Sequence, residues 1–270
     1  MRIDLITIFP DLFTPIFRYG VLGRAIAAER VSVRAHDLRQ FAHDRHRTVD
    51  DRPFGGGEGM ILKPEPLAEA IESLGLLPKS ERDPHREQVV LLSAQGPRFT
   101  QAAARELAGL ERLTLLCGRY EGVDERVSEL FCDRELSIGD YVLSGGELAA
   151  AVVVDAVVRL LPGVLGNDAS SEFESFGPPD PGAALDAAAP PRSTHGSGGL
   201  LDYPHYTRPA DFRGLPVPDV LTKGDHSAIR RWRRERALEK TLRNRPDLLA
   251  AAELTDADRR FLHSLGYKSD

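Results

Sequence analysis

Apolar and polar positions alternate from Arg2 to Phe9 with the period of a strand, and Pro10-Asp11 then opens a helical stretch running toward Arg30. Short apolar runs recur at Val89 to Ser93 and at Leu113 to Cys117. Between them, Thr100 to Leu110 has helical spacing, with the Thr100 hydroxyl placed to cap the first turn. Another strand-like stretch spans Leu136 to Leu143. A long apolar helix follows from about Glu147 to Leu161, ended by Pro162-Gly163. Strands and helices alternating in this way predict an α/β fold, a parallel sheet with helices on both faces.

The pattern breaks at Gly177 to Gly199, which is built from Gly, Pro, Ala, Ser and a few charges with almost no apolar periodicity. Such a segment cannot bury enough surface to offset its ordering entropy, so it reads as a flexible linker. Beyond it, Asp225 can cap a helix through Trp232, and Thr255 with Asp258 has the spacing of a capping box. The expected organisation is an α/β domain over residues 1–166, a linker over 167–200 and a small basic helical domain over 201–270.

Composition narrows the class. The chain has 270 residues, 41% of them hydrophobic, enough for one large domain or two modest ones. No stretch approaches the roughly 20 apolar residues of a membrane span, and Met1-Arg2-Ile3-Asp4 reads as the start of a strand rather than a signal peptide. The two cysteines, Cys117 and Cys132, are too sparse for a disulfide scaffold. A soluble, cytoplasmic protein is expected. Its net charge of −6 argues against a nucleic-acid binder until its distribution is considered. Arg208 to Arg245 holds eleven Lys/Arg against five Asp/Glu, and phosphate backbones respond to a local basic surface rather than to the global sum. Taken alone, the segment is equally consistent with a solvated charged helix.

Three loops carry candidate chemistry. The first, Asp44 to Met60, has four glycines in the five positions Gly55 to Gly59, which permit positive φ and close backbone approach to a ligand. No Gly-Lys-Ser/Thr follows, so it is not a phosphate-cradling P-loop. Arg45, His46 and Asp50 precede the glycines and suit a nucleotide with phosphate and base edges to hold. The second loop, Cys117 to Arg126, follows a buried strand, and the third, Ser137 to Glu147, leads into the long helix. Both sit at carboxyl ends of predicted strands, where open α/β sheets bind ligands. Within the long helix only Asp155 and Arg159 are charged between Leu148 and Leu161. They lie four apart on one face, either as a structural ion pair or with the arginine serving a ligand.

These loops, together with Leu161 to Gly166, Pro204 to Pro209 (Pro-His-Tyr-Thr-Arg-Pro), Gly224-Asp225-His226 and Trp232-Arg233, closely resemble the bacterial tRNA (guanine-N1)-methyltransferases, in the family's order. The resemblance implies a deep trefoil knot in the parallel α/β domain and S-adenosylmethionine bent within it. Leu92, Gly118, Glu121, Ile138, Gly139, Asp140, Tyr141, Val142, Leu143, Gly145 and Gly146 would then hold the cofactor. It further implies a homodimer with a shared guanine pocket, and magnesium as a possible requirement. The tRNA partner would be met by Arg45, His46, Asp50, Gly55, Gly56 and Gly57 in the first loop, and by Arg208, His226, Arg230, Arg233 and Arg234 in the basic domain.

The implied reaction methylates N1 of the guanine 3′ of the anticodon. That nitrogen carries a proton at neutral pH, so a carboxylate must accept it and a cation at O6 must stabilise the charge that develops. The resemblance assigns the second role to Arg159. Its base is an aspartate early in the linker, where this chain has Glu174 within Ser171-Glu172-Phe173-Glu174-Ser175-Phe176. Glu58 and Ala94 stand where many members have proline, and the segment Gly177 to Gly199 is longer than the family's usual linker. Two rivals stand beside this reading: a knotted methyltransferase acting on ribosomal RNA or ribose, and an RNA-binding protein without turnover.

Overall fold

The computed structural model describes residues 1–166, 173–178 and 197–268. The chain divides into two compact units, Met1–Gly166 and Asn167–Asp270.

The first unit begins with β1 (Arg2–Thr7). The stretch expected to be one helix from Pro10 toward Arg30 is instead a 3-10 turn, a short α1 (Phe13–Ile16) and α2 (Gly20–Ala27). Two glycines explain the break. Gly20 adopts a φ of +67°, and a Cβ on Gly23 would lie 2.6 Å from the Arg18 carbonyl, so α2 folds back tightly on the turn before it. Then come β2 (Ser32–Asp37), the two-residue pair β3 (Asp50–Asp51) and β4 (Ile61–Leu62), and α3 (Pro64–Ser73). β5 (Glu87–Leu92), α4 (Gln101–Ala108), β6 (Arg112–Cys117) and α5 (Glu125–Phe131) follow. β7 (Arg134–Leu136) and α6 (Glu147–Val158) complete the unit. Thr100 caps α4 as expected, its hydroxyl accepting from the Ala103 amide at 3.3 Å.

Five strands form one sheet in the order β2-β1-β6-β5-β7, every pair parallel. The alternation of side chains explains why the sequence shows continuous apolar runs. Leu113, Leu115 and Cys117 of β6 and Val90 and Leu92 of β5 face a core shared with α1, α2, α4 and α6. Leu116 of β6 and Val89 and Leu91 of β5 face the opposite core, with α3 and α5. Each such side chain contributes on the order of 2 kcal/mol, and Leu115→Ala would cost about 2–5 kcal/mol because its surroundings cannot collapse fully. The strand expected over Leu136 to Leu143 ends at Leu136. The Ser137 hydroxyl donates to the Gly139 carbonyl at 3.0 Å and turns the backbone, releasing the rest as a loop.

The second unit contains the hairpin β8 (Asp211–Phe212) and β9 (Leu215–Pro216), then α7 (His226–Asn244) and α8 (Asp256–Ser264). Asp225 caps α7 by accepting from the Ser227 and Ala228 amides, both at 3.0 Å, and the helix continues well past Trp232. The capping box on α8 is formed. Leu200, Leu238, Leu249 and Leu262 make its core. Parts of the expected linker belong to this fold: the Phe176 amide donates to Leu200 at 2.9 Å and that of Gly198 to Pro178 at 3.1 Å. The remainder, including most of the Gly177 to Gly199 segment and Glu172, lies outside the described residues.

Candidate active site

The carboxyl ends of β5, β6 and β7 lie level in the sheet, with Leu92 in register with both Cys117 and Leu136. The loops leaving these three strands enclose an open cleft of about 830 Å³ counted to its mouth. Leu92, Gly118, Glu121, Ile138, Gly139, Tyr141, Val142, Leu143, Gly145 and Gly146 all line it. Asp140 does not, departing from its expected place among them. Its side chain is 82% exposed and pairs loosely with Arg98 at 3.8 Å.

The walls are fixed by hydrogen bonds between loops far apart in sequence. The Gly146 amide donates to the Gly118 carbonyl at 2.8 Å, and Arg119 and Gly145 form an antiparallel bridge. The loop after β5 is tied to the third, with the Phe99 amide donating to the Ser137 carbonyl at 2.7 Å. The first loop is tied to the second through the Glu121 amide and Met60 carbonyl at 3.0 Å.

Close approach makes glycine obligatory at Gly146, where the neighbour is backbone, and packs Gly145 against a side chain. A Cβ on Gly146 would stand 2.8 Å from the Cys117 Cα, and one on Gly145 would collide with the Arg119 guanidinium. That guanidinium is a feature the sequence reading missed. Its Nε and Nη2 each lie 2.9 Å from Glu147 Oε2, and its Nη1 donates to the Ser144 carbonyl at 2.9 Å. Glu147 is buried at the start of α6 and also accepts from the Thr7 hydroxyl at 2.8 Å. The Arg119 cation further lies 4.6 Å from the Phe9 ring centroid. The one available signal was an arginine beside a glycine at a strand end, which does not reveal its partner.

With Arg119 neutralised by Glu147, Glu121 leaves the cleft lining one net negative charge. Beneath it, burial first and Glu147 second push the Cys117 thiol well above its ordinary value, so it is inert packing. Burial raises Cys132 to about 12.

The remaining expected residues lie elsewhere. Arg45, His46 and Gly55 to Gly57 are exposed on the first loop, and Asp50 pairs with Leu62 in the β3–β4 ribbon. All three glycines have positive φ, as a close-turning loop requires. Arg159 is the half-buried C-cap residue of α6, while Asp155, Leu148 and Val152 lie exposed along that helix. Glu174 belongs to the second unit, as do Arg208 and His226, both exposed, and Arg230, which is half-buried on α7.

Arg233 stacks over the Tyr203 ring at 4.8 Å. Arg234, expected with Arg230 and Arg233 to meet the tRNA, is instead turned inward. Its Nη2 and Nε meet the two carboxylate oxygens of the buried Asp258 at 3.0 and 3.1 Å, and Nη1 donates to the Ser197 carbonyl at 3.2 Å. A salt bridge this internal holds α7 to α8 and leaves little charge for a ligand.

The fold and cleft define the first unit as a parallel α/β protein with an open cleft at the carboxyl ends of its strands. Comparison with known proteins is more specific. The family model described as tRNA (Guanine-1)-methyltransferase TrmD matches residues 1–251. A tRNA (guanine-N(1)-)-methyltransferase of Koribacter versatilis is 57% identical over 265 residues, covering 98% of each chain. Those of Geobacter sulfurreducens and Dehalococcoides mccartyi are 49% and 48% identical, the first covering 98% of both chains and the second 98% of this chain and 97% of the relative. The chain belongs to the tRNA (guanine-1)-methyltransferase family.

Proposed function

We propose that this chain transfers a methyl group from S-adenosylmethionine to N1 of the guanine 3′ of the anticodon in tRNA. The observation that carries the reading is the convergence of ten residues, singled out by resemblance as cofactor-holding, on one cleft at the carboxyl ends of β5, β6 and β7. The cleft suits the cofactor chemically. Leu92, Ile138, Leu143 and Ala149 offer an apolar seat for an adenine, and Glu121 offers a carboxylate in a lining whose arginine is already neutralised. A net negative site favours a cationic sulfonium. When bound, S-adenosylmethionine supplies an electrophilic methyl group.

The protein's own work is then proton removal and charge stabilisation. Glu174 accepts the N1 proton, leaving a nucleophilic nitrogen. Arg159 donates to O6, where negative charge accumulates as that proton leaves. Glu174 has one methylene more than the family's aspartate, so its oxygen reaches farther and carries one more rotor to hold.

The same reading includes the trefoil knot, supported by α6 packing back against β1 and β6 after the chain has reached the edge strand β7. It includes a homodimer with a shared guanine pocket, supported by the exposed apolar side chains Leu148 and Val152 on α6. A cytoplasmic site of action follows from the tRNA substrate, and among the described residues no helix is long and apolar enough to cross a membrane. The resemblance also brings magnesium into the reading. Among the described residues no group of three or more His, Cys, Asp or Glu is gathered to hold a metal, and no step is assigned to one.

The test is transfer of labelled methyl from S-adenosylmethionine to tRNA with guanine, or adenine, next to the anticodon, with the product nucleoside identified by mass spectrometry. The expected product is 1-methylguanosine on the first tRNA and nothing on the second. Methyl on ribose, on ribosomal RNA only, or on no RNA would overturn the proposal.

A further inference from the structure

A second cleft, wholly within the second unit, lies between residues 203–208 and the first turns of α7. It measures about 870 Å³ counted to its mouth. Ile229 and Val217 give it an apolar floor, and its rim carries Tyr206 and Arg208. Tyr206 is half exposed, and its ring is set 6.2 Å from that of Trp232 at an interplanar angle of 56°. Arg233 covers the ring of Tyr203, which is itself buried, so that cation and ring form one wall. Arg208 is exposed at the mouth.

An apolar floor, an accessible aromatic face and a rim cation are the requirements of an unpaired nucleotide. A splayed RNA base stacks on aromatic side chains, and its phosphate is met by arginine. Paired RNA cannot use such a site, because its bases are already stacked. We propose that this cleft takes one unpaired nucleotide of the substrate tRNA, with its base stacked on Tyr206 and its phosphate at Arg208. The proposal rests on tRNA being the substrate. It assigns the second unit a base-holding role in addition to backbone attraction.

The full-length chain, as wild type, Tyr206→Ala and Tyr206→Phe, is titrated with substrate tRNA and with the same tRNA carrying single abasic nucleotides along the anticodon loop. For wild type, one abasic position should weaken binding by about tenfold, the scale of a lost base stack. Tyr206→Ala should bind intact tRNA about tenfold more weakly and become indifferent to that abasic position, while Tyr206→Phe retains both properties. The salt dependence of binding should be unchanged in Tyr206→Ala, since no phosphate contact is lost. Trp232 fluorescence and melting establish that each variant is folded, and Tyr206→Leu replaces the alanine variant if it is not. Normal tRNA binding by folded Tyr206→Ala, or equal sensitivity of wild type and variant to every abasic position, overturns the proposal. Failure of wild type to bind or methylate any tRNA would overturn the substrate reading itself, a distinguishable result.

Discussion

Arg119 and Glu147 are 28 residues apart in sequence, yet the arginine places two nitrogens at 2.9 Å from a carboxylate oxygen buried at the first turn of α6. The pair joins the end of β6 to the start of α6, so the second and third loops are held as opposing walls of the cleft.

Removing one partner leaves the other charge buried and unpaired, which costs about 3–5 kcal/mol where burial is complete and less where, as at Arg119, some solvent reaches it. Glu147→Gln is therefore expected to lower the melting temperature. It should also weaken S-adenosylmethionine binding by about tenfold or more, with tRNA affinity changed far less. Calorimetric titration of the cofactor checks this. An unaltered cofactor Kd in a destabilised variant would reduce the pair to a structural tie.

Gly146 tests the same wall from the backbone side. A methyl group there meets the Cys117 Cα at 2.8 Å and the Gly118 nitrogen at 3.0 Å, neither of which can rotate away. Gly146→Ala is expected to cost about 1–3 kcal/mol and to abolish measurable cofactor binding as α6 is pushed off the strand end. Gly75→Ala makes a useful control: its φ of +74° makes alanine costly through the backbone alone, by about 1–2 kcal/mol, but nothing lies within 4 Å of the added Cβ and the cleft is untouched. Cofactor binding retained in Gly146→Ala, measured by the same titration, would show that the wall can yield.

Glu174 is expected to behave as the base. Glu174→Gln should lower the single-turnover methylation rate by about 10²-fold or more while leaving tRNA and cofactor affinities within a few-fold. Glu174→Asp, which restores the family's residue, should keep most of the rate. Rapid-quench single-turnover assays separate these outcomes. A Glu174→Gln rate near wild type would pass the role to another group, for which Glu172→Gln is the first variant to measure.

Asp258 links the second unit to pH. Burial pushes its carboxyl up, but the Arg234 hydrogen bond and the Thr255 amide outweigh burial and hold it below its ordinary value. A depressed folded value means the stabilisation is complete above the unfolded value, about 4, and is lost as pH falls through the folded one. Trp232, the only tryptophan, lies on α7 beside Arg234 and reports this unit. Its fluorescence should show acid unfolding setting in below about pH 4, and Asp258→Asn should flatten that dependence while lowering stability at neutral pH. An identical acid transition in Asp258→Asn would assign it to other carboxylates.

Much of this was legible in the chain itself. Strands buried on both faces must carry continuous apolar runs, so Val89 to Leu92 and Leu113 to Cys117 announce a parallel sheet. Cap residues act within three or four positions of themselves, so Thr100, Asp225 and Thr255 mark their helices without any tertiary information. The same locality explains part of the cleft: the loops Cys117 to Arg126 and Ser137 to Glu147 are local features at strand ends, while Gly118, Gly139, Gly145 and Gly146 were singled out within them by the resemblance to the family. The tertiary structure decided matters that depend on distant partners. The sequence shows Arg119 and Arg234 as two more arginines, one beside a glycine and one in a basic run. Folding places each against a carboxylate that is 28 or 24 residues away and largely removed from water. A low-dielectric surrounding makes such a charge bind its partner rather than a ligand, and burial is a property of the packed chain that no local pattern encodes.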